Sequence, residues 1–71
     1  MNKTYAYHKP SADGLVKIAE LRTLFSGVHD TIERLCPKSR EQSVALTKLE
    51  ELAMWAIKGV VCNDPESVIE V

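Results

Sequence analysis

Two long stretches of the chain alternate apolar and polar positions with helical spacing. In the first, Ile18, Leu21, Phe25, Val28, Ile32 and Leu35 recur at steps of 3-4-3-4-3. This is an a/d seam sustained beyond two heptads, and it predicts a long helix packed lengthwise on another. Ser11 is the expected N-cap, and Asp13 sits in the first turn, where the helix dipole favours a carboxylate. Gly14 weakens that turn, and Gly27 lowers helix propensity without breaking the pattern. Pro37 ends the segment.

The second stretch opens at Ser39, with Gln42 three residues later in the S-x-x-Q form of a capping box. Its apolar line, Leu46, Leu49, Ala53, Ala56 and Val60, follows a 3-4-3-4 spacing. Helix two is expected from about Arg40 to Val61, before the turn signal Asn63-Asp64-Pro65. The link Cys36-Pro37-Lys38 is short enough to make an antiparallel helix–turn–helix the natural outcome. Residues 1–10 lack helical periodicity and end in Pro10, which favours an extended Lys9. The tail from Glu66 to Val71 is compatible with a frayed turn or a strand-like contact. The expected fold class is therefore all-α: an N-terminal arm over 1–10, an antiparallel helical hairpin over 11–62 and a short tail over 63–71.

Helix two is apolar on more than one side. Beyond its seam it carries Ala45, Leu52, Trp55, Ile57 and Val61, more than one facing helix covers. Self-association into a homo-oligomer is the expectation, and docking on a different protein is the alternative. Size points the same way, because a 71-residue chain makes one small domain with a limited core. The beginning Met1-Asn2-Lys3-Thr4-Tyr5 has no apolar signal-peptide core, and no run approaches a membrane span, so a cytosolic chain without a membrane partner is expected. A formal net charge of -1 argues against binding DNA by broad phosphate neutralisation.

The two cysteines, Cys36 and Cys62, fall at opposite ends of the second helix. That helix separates them by roughly 35 Å, whereas a disulfide needs Cα atoms within about 7 Å. Both are expected to be buried small hydrophobes.

Catalytic constellations are thin. The chain has no H-x-x-x-H, C-x-x-C or P-loop pattern, so neither metal nor cofactor is expected. His29 and Asp30 are sequence neighbours that diverge around a helix, as are Glu50 and Glu51. Ligand-binding constellations are richer. The arm carries Tyr5 and Tyr7 beside Lys3, His8 and Lys9, and a tyrosine face can stack a nucleobase. Arg22 lies off the seam of helix one, followed by Thr23, and its guanidinium fork suits a phosphate. Tyr7 and Arg22 meet only if the arm folds back or reaches another subunit. The plainer reading is an exposed arginine and a tyrosine that covers apolar surface. Arg40, Ser43 and Thr47 form one polar stripe near the start of helix two, suited to an anion or merely to solvent and an acidic neighbour.

With these residues in view, the sequence resembles the phage anti-CBASS protein 2 family of cyclic-nucleotide sponges, whose helical hairpin is shared with a class of Thoeris anti-defence sponges. The resemblance rests on Tyr7-x-x-Pro10, on Leu21-Arg22-x-Leu24-Phe25, and on Ser39-Arg-Glu-Gln-Ser-x-Ala-Leu-Thr-x-Leu-Glu-Glu-x-x-Met-Trp-Ala. It implies a hexamer of intertwined hairpins that sequesters cyclic dinucleotides, and in some members cyclic trinucleotides, in the cytoplasm of the infected bacterial host without cleaving them. By position, Tyr7 corresponds to the base-stacking tyrosine and Arg22 to the phosphate-binding basic residue, often a lysine, with Thr23 beside it. Ser43 and Thr47 fall where the trinucleotide site draws its helix-two contacts, with Arg40 adjacent. If members carry an arginine where this chain has Ser43, one charge is missing here. The resemblance thus implies a non-enzymatic sponge; a structural or adaptor hairpin that docks a protein is the competing reading, and a hydrolase lacks a nucleophile-activating group.

Overall fold

The computed structural model describes residues 5–65 and 68–70. A short strand β1 (Tyr7–Lys9) leads into helix α1 (Ala12–Leu35), a tight turn, helix α2 (Arg40–Asn63) and a second strand β2 (Val68–Glu70). The helices form the antiparallel hairpin that the two periodic segments predict. β1 and β2 pair antiparallel, with Tyr7 opposite Glu70, His8 opposite Ile69 and Lys9 opposite Val68. Of the two options open for the tail, its described part takes the strand; Glu66, Ser67 and Val71 lie outside the described residues, as does Lys3 of the arm.

Local chemistry sets both helix starts. Ser11 Oγ accepts the Gly14 N–H at 3.0 Å, and Ser39 Oγ accepts the Gln42 N–H at 3.1 Å. The second start departs from a reciprocal capping box. Gln42 Nε2 reaches instead to the Cys36 carbonyl at 2.9 Å, and Ser39 donates to the Pro37 carbonyl at 2.8 Å. Gln42 is thereby buried, its amide spent on tying the hairpin turn to helix two. In the first turn of α1, Asp13 pairs with Lys17 at 3.1 Å, and that hydrogen bond raises the Lys17 pKa.

The molecule measures 44 × 24 × 13 Å, so it is close to one helix thick, a helix with its side chains being about 10–12 Å across. Domains normally bury their apolar faces between two packed layers, and the described residues form one layer. Only Ile18 and Leu49 are buried among the large hydrophobic residues described, and neither completely. Leu21, Phe25 and Ile32 of α1, and Leu46, Ala53, Ala56 and Val60 of α2, are half-buried along the same seam. Val28 and Leu35 are exposed, contrary to the a/d expectation. A line of 3.5-residue period drifts about 20° per heptad around a straight 3.6-residue helix. By the end of α1 the line has walked onto the flank.

At the open end, the Ser11 hydroxyl donates to Asp64 Oδ2 at 2.5 Å, clasping the start of α1 to the end of α2. This explains Gly14, which is buried in the same corner. A Cβ there would sit 2.8 Å from Asp64 Oδ2 and 3.3 Å from Ser11 Oγ. Gly14→Ala is therefore expected to destabilise the chain although alanine favours helix by about 1 kcal/mol. The displaced carboxylate would give up a charge-assisted hydrogen bond worth about 1.5–3 kcal/mol. A net loss of about 1 kcal/mol should appear as a lower urea midpoint. The same change at Gly27, where a Cβ would meet nothing within 4 Å, should not destabilise the hairpin.

Cys36 and Cys62 are both free thiols, and both are half-buried rather than buried. They sit at the two ends of the hairpin, where a single layer covers least.

Candidate ligand site

Helix two leaves Ile57 and Val61 outside its seam, and the arm covers part of that surplus. β1 runs beside α2 and keeps every Cα farther than 8 Å from α1. Between arm and helix lies a cleft of about 460 Å³, within the size range of small-molecule sites. Its arm wall is Ala6, Tyr7 and His8, and its helix wall is Ala53, Met54, Ile57, Lys58, Val61 and Cys62. The lining is mostly apolar, with Lys58 supplying the cation.

Tyr7 keeps 63 % of its surface exposed even as it lines this cleft. A tyrosine that merely sealed apolar surface would be more covered; this one still presents a free face. Lys58 Nζ stands 5.5 Å from the Trp55 ring centroid, a cation–π contact one turn apart on α2. Met54, which lines the cleft, is 66 % exposed, and Trp55, next to it in sequence, is 69 % exposed.

Arg22 and Thr23 sit elsewhere. Both are exposed on α1, and the Thr23 hydroxyl donates to the Ala19 carbonyl at 3.0 Å, leaving its oxygen only as an acceptor. Thr23 lines a second groove, about 430 Å³, along the outer face of α1 with Leu24, Gly27, Val28, Thr31 and Ile32. Every Cα of α1 lies beyond 8 Å of β1, so Tyr7 and Arg22 stand on elements that do not pack against each other.

Arg40, Ser43 and Thr47 are all exposed on the first two turns of α2, toward the hairpin turn and away from the arm cleft. Ser43 Oγ donates to the Ser39 carbonyl at 3.1 Å, so this hydroxyl too is half spent on its own helix. Among the described residues, neither Arg22 nor Arg40 has an ion-pair partner, which leaves two guanidinium forks available. His29 is different, lying 3.0 Å from Glu33 one turn on, as a solvated helix flank would have it. Among the described residues no group of three or more metal-ligating side chains occurs, and no helix is long and apolar enough to cross a membrane.

The family model described as the hairpin domain of Acb2/Tad1 matches residues 1–61, the arm and nearly all of both helices. The chain belongs to the Acb2/Tad1 hairpin family. No curated protein and no solved structure matches significantly. The matched region ends before Asp64 and before β2, so the Asp64 side of the clasp and the tail strand lie outside what the Acb2/Tad1 hairpin model spans.

The cleft residues Met54, Ile57, Lys58 and Cys62 were not among the site residues expected from the sequence. A signal for two of them existed. Ile57 is off-seam yet apolar, and Lys58 follows Trp55 at the three-residue step that stacks a cation on a ring. What the sequence could not supply was the path of the arm.

Proposed function

We propose that this protein is a sponge for cyclic dinucleotides, binding the messenger between the arm of one copy and the helices of another and holding it uncleaved. Membership of the Acb2/Tad1 hairpin family supports a phage anti-defence sponge role in general. The observation that carries the finer reading is the separation of Tyr7 from Arg22. An exposed aromatic face over an apolar cleft stands on the arm, and a guanidinium with no ion-pair partner among the described residues stands on α1, an element whose Cα atoms all lie beyond 8 Å of β1. Base stacking and phosphate pairing are the two halves of nucleotide recognition. A second copy would unite them.

On this reading Tyr7 stacks a base, Arg22 pairs with a phosphate and Thr23 accepts a hydrogen bond from the ligand. Two phosphates need a few fixed forks rather than a basic surface, so the near-neutral charge is compatible with tight binding. Exposed Leu24, Leu52 and Trp55 supply the apolar surface that assembly into a hexamer would bury. Arg40, Ser43 and Thr47 form the second proposed site, for a cyclic trinucleotide gathered where several copies meet. The site of action is the cytoplasm of the infected host, where lowering free messenger silences the CBASS-type effector.

Calorimetric titration with cyclic di-AMP, cyclic di-GMP and cyclic GMP-AMP tests this reading. We expect at least one to bind and to be recovered chemically intact after denaturing the protein. Recovery of a linear or hydrolysed product would point to an enzyme, and no binding of any cyclic nucleotide would favour an adaptor hairpin.

A further inference from the structure

We propose that the C-terminal strand is a brace that holds the ligand-stacking arm in place, so that residues outside the matched hairpin set the protein's affinity. The inference rests on the sponge reading above and adds a positioning element to it. Three observations converge. First, β2 is the strand to which β1 is paired, in a fixed register that places Glu70 opposite Tyr7. Second, the Ser11–Asp64 hydrogen bond of 2.5 Å joins the residue at which the arm enters α1 to the residue at which the tail leaves α2. The two ends of the chain are therefore anchored side by side and leave the hairpin in register for antiparallel pairing. Third, the family match covers residues 1–61, so the pairing strand lies outside the matched region.

The physical consequence concerns pre-organisation. A three-residue strand resting on one helix is held by little; an isolated β1 would spend much of its time elsewhere. Pairing with β2 satisfies backbone N–H and C=O groups of the arm and restricts where the Tyr7 ring can go. A ligand that needs the arm in place binds with its intrinsic Kd divided by the fraction of arms in place. Losing the brace should therefore weaken binding without removing any residue that touches ligand.

The test compares the full chain with two variants. One ends after Pro65; the other keeps its length but carries Val68→Gly, Ile69→Gly and Glu70→Gly, glycine being a poor strand former. Each is checked by circular dichroism and native mass, and the glycine variant serves if the shortened one fails to fold. Hydrogen exchange at the Tyr7–Lys9 amides and the Kd for cyclic GMP-AMP are then measured. We expect arm protection to fall and the Kd to rise about tenfold, the result if the arm is in place roughly a tenth of the time. Equal Kd values for full chain and variants would overturn the brace alone, whether or not arm protection changes. If the full chain binds no cyclic GMP-AMP or other cyclic dinucleotide, the sponge reading fails and the brace falls with it.

Discussion

Leu49→Ala is expected to leave the isolated chain largely unfolded at ordinary temperature. Leu49 is one of only two buried hydrophobic side chains among the described residues, and it lies near the middle of α2. Removing a buried leucine costs about 2–5 kcal/mol, and a core of this size rarely supplies more than about 3–5 kcal/mol. The two figures overlap, so a single truncation can exhaust the stability of one hairpin. Far-ultraviolet circular dichroism should show the helical signal of the variant collapse in dilute solution. If copies assemble as proposed, it should partly return as concentration rises, because assembly stabilises the folded form by mass action. Trp55→Ala makes the contrast. Trp55 is exposed in the single chain, so its loss should spare the hairpin and weaken assembly instead.

The largest effect on binding is expected at Tyr7. Truncating an aromatic that stacks a base costs about 1–3 kcal/mol, so Tyr7→Ala should raise the Kd for a cyclic dinucleotide by roughly 5- to 150-fold, while Tyr7→Phe keeps the ring and most of the affinity. Arg22→Ala should cost a similar amount, because it removes a charge-assisted pair worth about 1.5–3 kcal/mol. Arg22→Lys should recover part of that loss, keeping the charge and giving up the bidentate fork. Both residues are exposed in the hairpin, so neither change should move the thermal midpoint of the ligand-free protein appreciably. Isothermal titration and a melting curve on the same samples separate the two quantities.

Most of the hairpin was legible in the sequence. Two seams of helical period, two serine caps and a proline in a short link leave little choice but antiparallel helices. The ends of the seams were less legible. Val28 and Leu35 fit an a/d line on paper, yet a straight helix carries them onto the flank. Gln42 fits a capping box by spacing, yet the Cys36 carbonyl, six residues back in sequence, is the acceptor its amide takes. Gly14 is a weak point of a first turn by propensity, yet Asp64, fifty residues away, leaves no room for a Cβ there. Such contacts are long-range, and periodicity carries no information about them. The candidate site divides in the same way. Residue types suited to bases and phosphates could be read from Tyr7, Arg22 and Arg40, but the cleft beneath the arm depends on where β1 lies. β1 is paired in turn with β2, and the tail sequence left both a frayed turn and a strand-like contact open.

The central claim is that one copy supplies the aromatic and another the guanidinium. Mixing the Tyr7→Ala and Arg22→Ala variants, unfolding them together and refolding them as mixed assemblies tests it most directly. Each variant alone should bind cyclic dinucleotide weakly. In an equal mixture, about one site in four should recover both side chains if they come from different chains, and titration should find tight sites at that fraction. If the mixture binds no better than its components while the unmodified protein binds tightly, the site lies within a single chain and the account is wrong.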